Sequence, residues 1–279
     1  MFKSILKILF TSLLIVSSLS ASDGLRNAEE YAKNSSLQSK WAMESLGVFP
    51  FKDDDWVLDV GCGNGSITEE IAAKVPLGTV VGLDISEEML IYAKKYHLSP
   101  NIVYVQGDAR KLPFVERFDK AVAFLSLNWI KEQTQVLNAL YRALKPGGKA
   151  IITRPGKQRT NLGSVAEMLI KTDRWATHFP NFEQKKHYYS AEEYLVLLKN
   201  AGFIIDKISQ ESTSTFFKDK EALIGFFRPL CNFIDHLSLV LQQQFVEEIV
   251  DIVLDINPPL SDGSIQLHDL KLEVIVSRP

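Results

Sequence analysis

Residues 57–65, VLDVGCGNG, are the strongest indication of the fold, because a short apolar run there is followed directly by a glycine-rich turn. The residues from Trp56 to Val60 predict a buried parallel strand. Glycines stand at positions 61, 63 and 65, and Ser66 to Lys74 then predicts a helix. Glycine has no side chain, so such a turn lets a ligand approach bare backbone. A strand, a glycine turn and a helix in this order are typical of a nucleotide-binding corner.

The composition favours a globular protein whose ligands are small molecules. The chain has 279 residues, of which 46% are hydrophobic, and a formal net charge of -3. It has no strongly basic field, so we expect no nucleic-acid partner. Its two cysteines are Cys62 and Cys231. Since Cys62 lies inside the glycine turn, where a cross-link would obstruct the site, we expect neither a disulfide nor a metal centre.

The first 22 residues differ from the rest of the chain. Lys3 and Lys7 precede an apolar run from Ile8 to Val16, and small residues follow it. This order is typical of a secretory signal peptide, and the apolar run is too short for a standard membrane span. An uncleaved anchor and a misassigned start codon are the alternatives. We expect membrane contact only through residues 1–22, if they are uncleaved, and the compartment stays open.

Apolar runs and helical patterns then alternate along the chain. This alternation predicts a doubly wound, mostly parallel α/β sheet with helices on both faces. The seven predicted strands are Trp56–Val60, Thr79–Leu83, Ile102–Val105, Phe118–Leu125, Ala150–Thr153, Phe203–Ile208 and Gly263–Ser277.

The remaining segments predict how that sheet is extended and covered. Residues 23–55 indicate a helical lead-in to the binding core of residues 56–153. Residues 154–279 indicate a helical cap over the site, followed by the last helix and strands of the sheet. The stretch from Arg154 to Tyr189 is too long for an ordinary loop, which favours an insertion of short helices. Pro229 is expected to split the long helical pattern of residues 219–256.

Three acids are predicted at the carboxyl ends of the first three strands. They are Asp59, Asp84 and Asp108. In an open α/β sheet ligands bind in the crevice outside those ends, so we expect the three carboxylates to border one site. Asp84 follows Gly65 by 19 residues, a position from which a carboxylate can accept both hydroxyls of a ribose.

The glycine spacing narrows the choice of nucleotide. A dinucleotide site has the pattern G-x-G-x-x-G, but here the third glycine, Gly65, comes one residue early. No lysine followed by serine or threonine is present in the turn, so it is not a phosphate-binding P-loop. Asp59 would repel phosphate and would suit an amino group. A ligand with a ribose and a cation but no pyrophosphate is therefore expected, and S-adenosylmethionine fits that description better than a nicotinamide cofactor.

Four segments carry a family resemblance. Residues 57–65, 82–86 (GLDIS), 107–109 (GDA) and 144–148 (LKPGG) resemble the successive motifs of class I S-adenosylmethionine-dependent methyltransferases. The resemblance covers Trp56 to Thr153 and implies the Rossmann-like methyltransferase fold of that group.

The resemblance also implies roles for individual residues. The glycine turn would lie beneath the methionine moiety, Asp59 would hold its amino group, and Asp84 would bind the ribose. Adenine would contact the residues that follow the second and third strands. The methyl group would contact the residues that follow the fourth strand. The cofactor-binding residues implied in this way are Asp59, Gly61, Cys62, Gly63, Gly65, Asp84, Ile85, Asp108, Ala109, Leu125 and Ser126.

A second resemblance concerns the methyl acceptor. Residues 126–130 (SLNWI), 226–230 (FFRPL) and 258–264 (PPLSDGS) resemble the trans-aconitate and juvenile hormone acid methyltransferases, which esterify carboxylic acids. This resemblance implies that Gln38 and Trp129 contact the substrate. The match departs at Asn128, where that group often has histidine.

The hypothesis for function is O-methylation of a small or lipophilic carboxylic acid by a monomeric enzyme. A carboxylate is already ionised at pH 7, so this reaction needs no base. Arg228 lies between phenylalanines and a proline in sequence, and arginine can grip a carboxylate with two parallel hydrogen bonds. We therefore expect the acid to lie between Trp129 and Arg228. A quinone or lipid methyltransferase at a membrane and a noncatalytic exported protein that binds a nucleoside ligand are the alternatives.

Overall fold

The computed structural model describes residues 28–157, 162–180, 182 and 186–279, so the predicted signal segment of residues 1–22 lies outside the described residues. Seven strands form one sheet in the order β3-β2-β1-β4-β5-β7-β6. The strands are β1 Trp56–Val60, β2 Thr79–Asp84, β3 Ile102–Gln106, β4 Phe118–Phe124, β5 Leu144–Pro155, β6 Ile204–Phe217 and β7 Ile265–Ser277.

Helices precede, connect and cover these strands. The described α-helices are α1 Ala28–Asn34, α2 Ser36–Val48, α3 Ser66–Lys74, α4 Glu87–Tyr96, α5 Gln133–Ala143, α6 Leu162–Ile170, α7 Asp173–Ala176, α8 Ala191–Asn200, α9 Lys220–Phe227 and α10 Leu239–Ile256. Short 3₁₀ turns occupy Ala109–Lys111, Leu127–Trp129, Arg228–Leu230 and Asn232–Ile234. None of the described helices is both long and apolar enough to cross a membrane.

The predicted fold class is confirmed. Strands β1 to β5 pair in parallel, and β7 runs antiparallel to both β5 and β6. The chain moves outward from β1 to β3 and then returns to place β4 on the other side of β1. The connections after β1 and β4 therefore diverge, which opens a crevice at the carboxyl ends of these two strands.

Separate apolar cores support the sheet and its cap. One cluster packs α5 and α8 against the sheet, and its members include Leu58, Leu140 and Tyr194. Another cluster joins α6, α9 and α10, with the rings of Trp175 and Phe245 meeting edge to face at 4.8 Å between centroids. The cap is thus a packed body with its own core, which can hold a cavity of defined shape against the sheet.

Several predicted strand boundaries change. After β4 a 3₁₀ turn ends at Trp129, and α5 begins at Gln133. Strand β5 begins at Leu144, six residues before its predicted start at Ala150. Strand β6 continues from Ile208 to Phe217, because β7 pairs with it along that length although the side chains there are mostly polar. The predicted break at Pro229 is confirmed, since α9 ends at Phe227.

Candidate active site

The glycine turn after β1 is tied directly to β2. The backbone N–H groups of Gly61 and Cys62 both donate to the carbonyl oxygen of Leu83, at 2.7 and 3.1 Å. Gly63 has φ +53°, and within the described part of the chain a Cβ built there would meet only the ring of Tyr31, at 3.9 Å. The space above Gly63 is therefore left open, as a ligand lying on the backbone requires.

Asp84 connects the end of β2 to that turn. Its carboxylate accepts the backbone N–H of Gly63 at 2.9 Å and that of Ser86 at 2.8 Å. Burial raises the pKa of Asp84, and the N–H donors oppose the shift. An ionised carboxylate has about four lone-pair positions, so Asp84 retains capacity to accept a hydrogen bond from a ribose hydroxyl.

Asp59 lies deeper, at the end of β1. It is 3% exposed, and its Oδ2 accepts the hydroxyl of Thr68 at 2.7 Å. Burial raises the pKa of Asp59 to about 7; the Thr68 hydrogen bond opposes the shift and the negative charge of Asp84 adds to it. A cation bound beside Asp59 would stabilise its ionised form. The buried carboxylate therefore fits the ammonium group of S-adenosylmethionine.

A small cavity of about 40 Å³ lies over the turn. Asp59 and the glycine turn form its floor, and Tyr31 of α1 and Gln38 of α2 line it from the lead-in helices. The Ala28 N–H at the start of α1 donates to Glu88 of α4 at 3.0 Å, which ties this lead-in segment to the core. The lead-in helices thus cover the proposed cofactor site. Predicted cofactor residues that line this cavity are Asp59, Gly61, Cys62 and Gly63.

The end of β4 borders the same turn. The hydroxyl of Ser126 donates to the carbonyl oxygen of Val60 at 2.6 Å, and a Cβ at Gly61 would lie 2.3 Å from the Cβ of Ser126. Leu125 has φ +50°, a left-handed conformation that costs a non-glycine residue about 1–2 kcal/mol. Such strain is found where a site requires it, and Leu125 lines a second cavity.

The residues proposed to contact adenine lie outside both cavities. Asp108 accepts the backbone N–H of Arg110 at 2.8 Å and pairs with its guanidinium, also at 2.8 Å. Partial burial raises the pKa of Asp108, but the hydrogen bonds and charge of Arg110 outweigh it and leave the pKa below its usual value. Its carboxylate is therefore charged and already has a protein partner. Ile85 and Ala109 also line neither cavity.

The second, larger cavity has a volume of about 260 Å³ and lies under the cap. Tyr31 and Gln38 line both cavities, so the two are adjacent. Gln38 and Trp129, the two residues predicted to touch the substrate, both lie in its wall. The side-chain oxygens of Gln38 and Asn128 are buried and have no hydrogen-bond partner within the described part of the chain. The apolar wall residues include Leu37, Leu125, Val165, Phe226, Phe227 and Leu230.

The prediction for Arg228 is wrong. Its side chain is exposed and does not line the cavity, whereas its neighbours Phe226, Phe227 and Leu230 do. The chain leaves α9 at Phe227 and continues as a 3₁₀ turn, which directs Arg228 to solvent while its apolar neighbours face the cavity.

Lys186 also lies in the cavity wall, although no motif in the sequence pointed to it. Its nitrogen lies 4.6 Å from the centre of the Trp129 ring. Lys186 belongs to a polar insertion without helical or strand periodicity. The sequence indicates that this insertion covers the site, but it does not distinguish Lys186 from the other polar residues of the insertion.

Comparison with known proteins agrees with this geometry. Residues 57–148 match a family described as "Methyltransferase domain". The chain is 27% identical to juvenile hormone acid O-methyltransferase of Drosophila melanogaster, over 73% of this chain and 72% of that protein. It is 25% identical to trans-aconitate 2-methyltransferase of Methylobacterium nodulans, over 90% of this chain and 98% of that protein.

A solved structure shows the same fold. It is phosphoethanolamine N-methyltransferase 2 of Haemonchus contortus in complex with S-adenosyl-L-methionine, with a TM-score of 0.61 and 20% identity. The match covers 94% of this chain and 61% of that one. The methyltransferase domain and the two curated relatives identify an S-adenosylmethionine-dependent methyltransferase rather than a nicotinamide oxidoreductase, and the solved structure supports the fold.

Replacement of Asp84 by alanine should weaken S-adenosylmethionine binding about 10- to 150-fold, because it removes a charged hydrogen-bond partner. Isothermal titration calorimetry measures the change. Glu87→Ala is the matched control, since it removes an exposed acid from the first turn of α4. Equal affinity of Asp84→Ala and the parent protein would contradict the assignment of Asp84 to the ribose.

Gly63→Ala should abolish cofactor binding and leave the fold intact, since its Cβ would enter ligand space. The left-handed backbone adds a strain of about 1–2 kcal/mol. Gly147→Ala controls for that strain, because Gly147 has φ +76°, open surroundings and a place outside the site. The two variants should lose similar stability in urea, whereas only Gly63→Ala should lose binding. Unimpaired binding by Gly63→Ala would place the cofactor elsewhere.

Asp59→Asn should stabilise the cofactor-free protein at pH 8. The pKa of Asp59 is raised on folding, so its ionisation costs stability as the pH rises from about 4 to 7, by up to about 4 kcal/mol. At pH 4 the carboxyl is mostly protonated and the variant should gain little. Thermal unfolding at both pH values measures this. S-adenosylmethionine should raise the melting temperature of the variant less than that of the parent. An equal rise in both proteins would show that Asp59 does not bind the cofactor.

Proposed function

We propose that this methyltransferase transfers a methyl group to a carboxylate oxygen of a small, largely apolar acid. The observation that carries the proposal is the lining of the larger cavity. Its walls combine apolar side chains with polar ones, and the polar groups include two unpartnered amide oxygens and a lysine ammonium. Apolar walls with few, well-placed polar groups are typical of a site that orients a small organic molecule. The similarity to juvenile hormone acid and trans-aconitate methyltransferases supports the same class of acceptor.

The proposed reaction balances without a proton acceptor. When bound, S-adenosylmethionine supplies a methyl carbon that bonds to the carboxylate oxygen as its bond to sulfur breaks. The oxygen lone pair forms the new bond, and sulfur keeps the electron pair of the old one. The products are a neutral ester and S-adenosylhomocysteine, and no proton moves.

The protein's contribution to this reaction is positioning. Gln38 reaches both cavities, so its amide can orient the acceptor at the point where the cofactor and substrate spaces meet. Leu125, Ser126 and Trp129 follow β4 beside the glycine turn and would form the wall around the methyl group. Alignment of the oxygen, carbon and sulfur in a near-attack geometry can supply about 7–11 kcal/mol of the barrier reduction.

A phenol or quinol acceptor is the second candidate, and one residue favours it. Such an acceptor needs a base, and Asp269 of β7 lines the cavity. Burial raises the pKa of Asp269, and the charges of Lys186 and His268 oppose the shift. A carboxylate with a raised pKa can take a proton from a hydroxyl more readily than an ordinary aspartate.

The export segment of residues 1–22 stays a prediction of the sequence.

An acceptor panel tests the proposal. The full chain is incubated with methyl-labelled S-adenosylmethionine and hexanoate, decanoate, benzoate, trans-aconitate, a phenol, a quinol or a primary amine. We expect labelled methyl ester from at least one acid, identified by mass spectrometry and released as methanol by mild alkali. Label transferred only to the phenol, quinol or amine would overturn the acid proposal. Gly63→Ala is the negative control, since it should form no product from any acceptor.

A further inference from the structure

Lys186 is an unusual feature of the larger cavity. It is a cation in a wall of apolar and polar side chains, with its nitrogen over the Trp129 ring. Among residues 28–157, 162–180, 182 and 186–279, no carboxylate lies within ion-pair distance of it. A half-buried lysine without a paired anion is costly, and its partial burial accordingly lowers the pKa of Lys186. An anionic ligand would relieve that cost.

The backbone beside Lys186 is fixed by hydrogen bonds. The N–H of His187 donates to the carbonyl oxygen of Asn128 at 2.8 Å, and the carbonyl oxygen of His187 accepts from the guanidinium of Arg154. Arg154 is fully buried in β5 and also donates to the side-chain oxygen of Gln133 at 2.9 Å. The backbone beside Lys186 is thus held against the turn that carries Trp129, and the ammonium lies over the Trp129 ring.

Asp269 introduces a competing charge. It lines the same cavity, and its interaction with Lys186 favours the charged form of each residue. Burial opposes ionisation of both, so neither charge is well compensated. An anionic acceptor would be attracted by Lys186 and repelled by Asp269, whereas a cationic acceptor would experience the reverse.

We propose that Lys186 binds the carboxylate of the methyl acceptor and that Asp269 competes with that carboxylate for the ammonium group. The inference rests on the proposed function and names the specificity-determining residue of its site. One carboxylate oxygen contacts Lys186, and the other faces the methyl group. Transfer makes the acid a neutral ester, which no longer competes with Asp269 for the lysine. Loss of that attraction favours release of the product.

Substitutions at the two opposite charges, Lys186 and Asp269, test the proposal. With the best acid of the panel, Lys186→Met should raise KM about 10- to 150-fold, the range for loss of a hydrogen bond to a charged group. Asp269→Asn should lower KM for the same acid. Lys186→Arg should retain part of the affinity, since it keeps the charge. Lys171→Met is the matched control, because it removes an exposed lysine just after α6 and should change nothing.

Cofactor affinity and circular dichroism separate loss of binding from loss of fold. Each variant should bind S-adenosylmethionine as tightly as the parent does, measured by calorimetry. An unchanged KM in Lys186→Met, with ester still formed by the parent, would overturn this inference and leave the proposed function standing. A lower KM in Lys186→Met together with a higher KM in Asp269→Asn would also overturn this inference. That result would indicate that Asp269 binds a cationic acceptor. If the parent forms no ester from any acid, the proposed function itself fails.

Discussion

The hydrogen bond from the Gly63 N–H to the Asp84 carboxylate joins the two strand ends on which the site depends. It holds the glycine turn after β1 against the acid that ends β2, at 2.9 Å. The parallel register of β1 and β2 brings these ends together, with Val60 beside Leu83. The return of the chain to β4 then leaves the space in front of the turn open. Sheet topology, bare backbone and a hydrogen-bond acceptor therefore converge at one edge of the sheet, where a ligand with a ribose can bind.

Several features of this edge oppose stability. Asp59 is buried with a pKa raised to about 7, Leu125 adopts a left-handed backbone, and the oxygen of Gln38 lacks a partner in the described part of the chain. Each of these costs free energy in the ligand-free protein. A bound cofactor and acceptor would supply the missing charge and hydrogen bonds. The same groups that weaken the empty site therefore favour ligand binding, and the apolar cores of the sheet and cap offset their cost.

The sheet, and the gathering of the glycine turn and the acids at one edge of it, were predictable because their signals are local. An apolar run, alternate glycines and an acid at a strand end each occupy a few consecutive residues, and sheet topology brings them together. The substrate site was only partly predictable. Arg228 was misplaced because the direction of its side chain depends on the 3₁₀ turn after α9, and Lys186 was missed because its insertion has no periodicity. The full length of β6 was not predicted either. The strand is extended by its pairing with β7, and its added residues have no apolar pattern that would reveal a strand.

We propose that one edge of the sheet holds both ligands, with the cofactor over the glycine turn and the acid under the cap. A crystal structure of the full chain with S-adenosylhomocysteine and an acid from the panel would locate the two ligands together. We expect ribose hydroxyls on Asp84, the ligand's ammonium beside Asp59, and the acid's carboxylate between Lys186 and the sulfur. A cofactor bound away from the glycine turn would refute this arrangement, as would an acid whose carboxylate points away from Lys186.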